Sequence, residues 1–112
     1  MTSYETMMKI LHEKDFALLE NWIADDFLNI YEMEMKGRED FINMVKSGLT
    51  KYDAKDLFAE EKCLFENKDV MNYSRLETQD NGIYQVIGTY LINKEGKAWR
   101  GIEKGTKIED VK

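Results

Sequence analysis

Residues 70–93 read VMNYSRLETQDNGIYQVIGTYLIN and contain the strongest secondary-structure signal in the chain. Val70–Thr78 and Ile83–Asn93 are rich in β-branched and aromatic residues and are bounded by turn residues, which predicts two β-strands. The short segment Asp80-Asn81-Gly82 between them is typical of a tight hairpin turn. The stretch therefore predicts two long antiparallel strands joined by a hairpin.

The same pattern extends outward on both sides of this hairpin. Leu57–Phe65 and Lys97–Ile108 also predict strands, with turns at residues 66–69 and 94–96. Strands that follow one another through short turns form an antiparallel meander. Glycines interrupt these strands at Gly88, Gly101 and Gly105, and strand glycines favour bends or bulges. We therefore expect a strongly curved sheet.

The N-terminal half has helical periodicity instead. Apolar residues recur at spacings of three and four through residues 2–22, with a break near Lys14 that indicates two short helices. Residues 24–26 then end this helical unit, and Phe27–Met35 alternates like a strand. Glu39–Lys46 predicts a further helix that Gly48 would end. Helices followed by strands predict a single α+β domain over residues 1–112, with the helices on one face of the sheet.

Charge and composition exclude several classes of protein. The net charge of −6 argues against a nucleic-acid binder or a ligand of anionic membranes, and no apolar run is long enough to span a bilayer. Residues 1–5 lack the features of a signal peptide, so we expect a cytoplasmic protein. His12 is the only histidine and Cys63 the only cysteine, so we expect no metal site and no cofactor. Cys63 lies in an apolar strand, where packing is the expected role.

Three segments of the chain together resemble the SnoaL-like proteins of the nuclear transport factor 2-like superfamily. They are the block LHEKDFALLENWIADDF at residues 11–27, KGREDF at residues 36–41 and KEGKAWR at residues 94–100. The resemblance implies a cone, in which a bent sheet wraps around the helices and leaves a pocket at the open end. It also implies dimers through the sheet. Family activities range from ketosteroid isomerisation, polyketide cyclisation, dehydration and epoxide hydrolysis to plain ligand binding and protein association, so the fold does not settle the function.

Matching the family's acid and base positions to this sequence weakens the expectation of a ketosteroid isomerase. The catalytic aspartate would fall at Tyr31, and the tyrosine that binds the oxyanion would fall at Met7, whose thioether cannot donate a hydrogen bond. Two other groups remain candidates for proton transfer. Glu32 would become a base if its side of the strand faced the inside of the cone, and His12 would do so if it lay in the pocket rather than at the surface.

We expect the pocket to bind an apolar or weakly polar small molecule. The residues assigned to it are aromatic, apolar or capable of one polar contact: Met7, Trp22, Phe27, Tyr31, Tyr73, Arg75, Tyr90 and Trp99. One alternative is an isomerase, cyclase or dehydratase that works by proton transfer without a cofactor. Another is a protein-interaction module that uses the acidic N-terminal half, since residues 1–56 carry a charge of −5 and residues 57–112 only −1. The nearly neutral sheet favours a homodimer.

Overall fold

The computed structural model describes residues 1–110, which form four helices and one six-stranded sheet. The elements follow in the order α1 (Ser3–Glu13), α2 (Phe16–Trp22), β1 (Ile23–Tyr31), β2 (Glu34–Gly37), α3 (Arg38–Lys51), α4 (Ala54–Leu57), β3 (Phe58–Glu66), β4 (Val70–Gln79), β5 (Gly82–Ile92) and β6 (Ala98–Asp110). The helices pack on the concave face of the curved, unclosed sheet, which confirms the predicted α+β cone. Among these residues, no helix is both long and apolar enough to cross a membrane.

The predicted break in the first helix is confirmed. Thr2 caps α1 through a capping box with Glu5, and Lys14 ends it in the left-handed conformation, with φ 53°. Asp15 then caps α2, because its side chain accepts a hydrogen bond from the backbone N–H of Leu18 at 3.1 Å. Polar residues with strong capping preferences thus separate two amphipathic helices.

The first predicted strand is wrong in its limits. β1 begins at Ile23, so residues 24–26 belong to the strand, and the chain reverses at Glu32-Met33 into the short strand β2. Glu32 has a φ of 54°, a conformation that lets the chain turn without a glycine. Because the alternation of residue types continues across this turn, the pattern in residues 27–35 hides the reversal.

Three further expectations about local structure need correction. Helix α3 continues through Gly48 to Lys51, because Leu49 is buried in the core and anchors the last turn. The four-residue helix α4 was not predicted. Cys63 is exposed on the edge strand β3, where the ladder with β4 is irregular, so the expected packing role fails.

The sheet has the order β2-β1-β6-β5-β4-β3, with β3 to β6 in the predicted meander. β1 pairs with β6 in parallel, although the other neighbours are antiparallel. This pairing brings the first long strand beside the last one, in the middle of the sheet. On the helix side of the sheet, four aromatic rings form a cluster in which the centroids of contacting rings are 4.7–6.5 Å apart. The cluster consists of Trp22, Phe27, Phe41 and Tyr90.

Candidate functional site

A cavity of about 400 Å³ lies between the helices and the concave face of the sheet. Helices supply an apolar wall, formed by Met7, Ile10, Leu11, Leu19, Phe41, Met44, Val45 and Leu49. Leu57 and Phe58 close the side towards β3. A cavity of this size with mostly apolar walls is typical of a small-molecule site.

The sheet supplies a second wall, which we call the polar wall. Its side chains come from the inward-facing positions of β1, β4, β5 and β6: Asn29, Tyr31, Arg75, Glu77, Gln79, Tyr90 and Glu103. These residues share one face because side chains two apart on a strand point the same way. A ligand in the cavity therefore contacts hydrocarbon on one side and hydrogen-bonding groups on the other.

Arg75 joins two carboxylates on the polar wall. Its Nη2 donates to Glu77 Oε1 at 3.1 Å and lies 3.7 Å from Glu103 Oε2. The guanidinium also lies 4.0 Å from the centre of the Phe58 ring and 5.0 Å from that of Tyr73. Aromatic contacts and two ion pairs together offset the cost of burying this charge.

Glu103 is the most fully buried carboxylate of the wall, with 8% of the residue exposed. It accepts a hydrogen bond from the Tyr73 hydroxyl and a long one, 3.4 Å, from Asn29 Nδ2. Asn29 is only 2% exposed, and its Oδ1 accepts no hydrogen bond from residues 1–110. Buried polar atoms are normally paired, so two atoms of the wall stand out: the acceptor Asn29 Oδ1, which lies over Gly101, and the donor Arg75 Nε, which also has no partner among residues 1–110.

Burial shifts the titration of the tyrosines near the wall. Burial raises the pKa of Tyr73 and of Tyr90, and the neighbouring Glu103 carboxylate raises both further. Burial by itself would lower the pKa of Arg75, but Tyr73 and Glu103 beside it leave that pKa above its ordinary value. The phenols therefore stay hydrogen-bond donors and the guanidinium stays charged at neutral pH.

Searches with the sequence found no matching protein-family model and no matching curated protein. Solved structures do match. A SnoaL-like protein from Burkholderia thailandensis aligns with a TM-score of 0.70 over 92% of this chain and 91% of its own, at 12% identity. An LEH-like epoxide hydrolase from M. tuberculosis gives 0.61 over 92% and 79%, also at 12% identity. An NTF2-like protein from Cytophaga hutchinsonii gives 0.64 over 95% and 91%, at 14% identity.

The chain has the nuclear transport factor 2-like fold. At these identities the likeness concerns the fold, and it confirms the architecture expected from the three sequence segments. Within that fold, four of the residues assigned to the pocket line the cavity: Met7, Tyr31, Arg75 and Tyr90.

The other four residues assigned to the pocket do not line it. Trp22, Phe27 and Tyr73 are buried behind the lining, where they support Tyr90 and Glu103. Trp99 is only half-buried and lies at a register shift between β5 and β6, with the Arg100 guanidinium 4.6 Å from its ring centre. The shift interrupts the alternation that had placed Trp99 on the same side as Glu103.

Both candidates for proton transfer lie outside the cavity of this cone. Glu32 is at the β1–β2 turn, with about half its side chain exposed and 3.4 Å from Lys104 Nζ. His12 is a partly exposed residue of α1 that contacts the edge strand β3, where its Nε2 lies 2.6 Å from Glu61 Oε1. The condition stated for each, a position facing the inside of the cone, is not met.

The functional groups that sequence reasoning missed are Asn29, Glu77, Gln79 and Glu103. Asn29, Glu77 and Glu103 lie on predicted strands and Gln79 directly follows the predicted strand Val70–Thr78, but the sequence pattern assigned none of them to the site. A usable signal was present on one face of β4, where Arg75 and Glu77 are two residues apart among apolar neighbours. A charged pair on a strand face that also carries Met71 and Tyr73 indicates a buried polar site, because isolated charges are rarely buried there.

Proposed function

We propose that the protein binds a small, largely apolar molecule in the cavity and adds water to an epoxide group of that molecule, with Glu103 as general base. The observation that carries this proposal is the buried Glu103 carboxylate beside the unpaired Asn29 Oδ1. A water molecule placed between them donates one hydrogen to each oxygen. Such a water is both held in place and ready to lose a proton.

The reaction follows from these contacts. Glu103 takes a proton from the water, the water oxygen bonds to one epoxide carbon, and the C–O bond to that carbon breaks with its electron pair on oxygen. Arg75, 3.7 Å from Glu103, stabilises the negative charge on the opened oxygen. The proton on Glu103 then passes to that oxygen. One water and one epoxide are consumed, and one diol is formed.

Glu77 and Gln79 hold the guanidinium in position for this step. Glu77 accepts from Arg75 at one carboxylate oxygen and from Gln79 Nε2 at the other, at 2.8 Å. With both oxygens engaged, Glu77 acts as a fixed counter-ion while Glu103 keeps the role of base. The structural likeness to an LEH-like epoxide hydrolase adds support from the fold.

A second candidate is proton transfer at carbon, as in isomerisation or dehydration. Tyr90 favours it, because this residue lines the same cavity and the raised pKa of its hydroxyl keeps that group protonated as a donor for an enolate oxygen. Glu103 would again be the base. This reaction and the hydration of an epoxide therefore require the same carboxylate but different substrates.

A panel of small apolar epoxides, incubated with the purified protein and assayed for diol, tests the proposal. We expect turnover with at least one member and a loss of about 100-fold or more in Glu103→Gln, the range of general-base catalysis. Glu109→Gln, an exposed residue on the same strand, is the matched control and should keep full activity. In ¹⁸O-labelled water a single turnover should place one solvent oxygen in the diol. Equal activity of Glu103→Gln, or no turnover of any epoxide, would refute the reaction.

We also propose that two copies associate through the outer face of the sheet. Ile87 and Ile102 are about half exposed there, and Ile30 lies beside Ile102 in the parallel pairing of β1 and β6. These isoleucines lie on central strands, where a two-fold axis would bring the same patch of each copy together.

A single cysteine leaves the chain no internal disulfide, which supports the proposal of a reducing compartment such as the cytoplasm.

A further inference from the structure

The cavity lining has an excess of negative charge. Among the described residues it contains three carboxylates, Glu34, Glu77 and Glu103, and two cations, Lys36 and Arg75. Lys36 lies 3.8 Å from Glu34, so this pair compensates itself. Arg75 alone faces the two remaining carboxylates, and one of those negative charges is therefore not balanced inside the cavity.

The polar wall also leaves buried polar atoms unpaired among residues 1–110: Arg75 Nε, a donor next to the carboxylates, and an acceptor on Asn29. Asn29 Oδ1, on a residue that is 98% inaccessible, has no donor among residues 1–110. Glu103 Oε1, next to it, receives only the 3.4 Å bond from Asn29 Nδ2. Both oxygens belong to residues that line the cavity. The unpaired amide oxygen is independent of the charge count and points to the same conclusion, that a donor belongs at this position.

We infer that the cavity binds small hydrophobic amines in their protonated form, with the ammonium group on Asn29 Oδ1 and Glu103. A primary ammonium carries three N–H donors and one positive charge, which meets both deficits at once. The hydrocarbon part of the amine contacts the apolar helical wall. The inference rests on the ligand cavity of the proposed function and not on its reaction, since the ammonium takes the place proposed for the water.

The same excess of negative charge disfavours an anionic ligand in the cavity. A carboxylate ligand would meet Glu77 and Glu103 in a desolvated site, where like charges repel strongly. A neutral alcohol of the same shape keeps the apolar contact and one hydrogen bond but gains no charge attraction. The expected order of affinity is therefore amine, then alcohol, with the acid weakest.

Calorimetry on the full chain at neutral pH tests this order with cyclohexylmethylamine, cyclohexylmethanol and cyclohexanecarboxylate. We expect the amine to bind about tenfold or more tightly than the alcohol, as for close buried charge pairs, and the acid to show no binding. Glu103→Gln should lose that preference while its affinity for the alcohol changes less than threefold. Glu109→Gln should behave like the unchanged protein. If Glu103→Gln does not fold, Glu77→Gln removes the same excess charge and serves in its place.

The outcomes separate this inference from the proposed reaction. The inference is overturned if the amine and the alcohol bind equally well. It is also overturned if the preference for the amine persists in a folded Glu103→Gln or Glu77→Gln protein, whatever the epoxide assay gives. An amine preference that depends on the carboxylates supports it even when no epoxide is turned over. Where both ideas hold, the amine should inhibit diol formation competitively with the epoxide.

Discussion

Tyr73 on β4 reaches across the neighbouring strand β5 to donate a hydrogen bond to Glu103 on β6. The residue between them is Gly88, which is in register with Tyr73 on one side and with Glu103 on the other. A Cβ atom at Gly88 would lie 2.5 Å from the Tyr73 ring. The contact between the buried phenol and the buried carboxylate thus depends on the absence of a side chain at the intervening position.

Replacing Gly88 with alanine should disrupt this arrangement. The added methyl group displaces the Tyr73 ring in a closely packed interior, which typically costs about 1–3 kcal/mol of the free energy of unfolding. Urea denaturation measures the loss. The matched control is Gly48→Ala, where nothing lies within 4 Å of the new Cβ and the helix should gain about 0.5–1 kcal/mol. A Gly88→Ala protein as stable as the unchanged chain would contradict the packing described for Tyr73.

Removing the guanidinium should destabilise the protein through the carboxylates it leaves behind. Arg75→Met keeps much of the side-chain volume but leaves Glu77 and Glu103 without their cation, and breaking a buried ion pair costs about 3–5 kcal/mol. Adding Glu103→Gln to Arg75→Met should recover part of that loss, because one of the repelling charges is gone. Urea denaturation of the two single variants and the double variant gives the coupling energy. Additive effects would show that Arg75 and Glu103 do not interact.

The buried tyrosines predict a loss of stability at alkaline pH. Unfolded tyrosines lose their protons near pH 10, whereas Tyr73 and Tyr90 in the folded chain, with raised pKa values, keep theirs. Above about pH 10 the unfolded chain therefore binds fewer protons, and the free energy of unfolding falls as pH rises. Urea denaturation at several pH values should show less of this decline in Tyr90→Phe. Tyr52→Phe, at an exposed position, should leave the decline unchanged; an unaltered slope in Tyr90→Phe would count against the shift.

Strand alternation predicted the sheet and one face of the site, because a period of two fixes which side chains lie together. It placed Tyr73 with Arg75 and Tyr84 with Tyr90 on common faces, and the structure has both. It could not tell which face becomes the inside of the cone, nor that Gly88 and Gly101 leave room for Tyr73 and Asn29 in the curved sheet that the strand glycines predicted. The observed register shifts in β5 and β6 occur elsewhere, between Ile83 and Tyr84 and between Leu91 and Ile92.

The ion pair between Glu103 and Arg75 could not be predicted from the sequence for a different reason. It depends on the order of strands in space and on the register between β4, β5 and β6, which are tertiary properties. Local pattern sets neither of them. Local pattern therefore predicted bases at Glu32, which follows β1, and at His12 on α1, and gave no sign of the β4 and β6 side chains that meet across β5.

Association through the outer face of the sheet should depend on its isoleucines. Ile102→Glu places a charge in the centre of the proposed contact, between Ile30 and the strand of Ile87, and should convert a dimer into a monomer. Sedimentation velocity measures the change. Met33→Glu introduces the same charge at the tip of the β1–β2 turn, where the side chain is 99% exposed, and should leave the mass unchanged. A protein that is monomeric without any substitution would rule out the dimer.

Substitution of the two residues that the sequence predicts for proton transfer should leave ligand binding and turnover in the cavity unchanged. His12 contacts Glu61 on the edge strand β3, and Glu32 contacts Lys104 at the β1–β2 turn, so neither residue lines the cavity. His12→Ala and Glu32→Gln should therefore keep the affinity of the unchanged protein for cyclohexylmethylamine, and any diol formation should stay within about twofold, because both are surface positions away from the site. Asn29→Ala is the comparison, since it removes the unpaired oxygen and should lower both. If Glu32→Gln lost activity as Asn29→Ala does, the site would have to extend to the turn between β1 and β2.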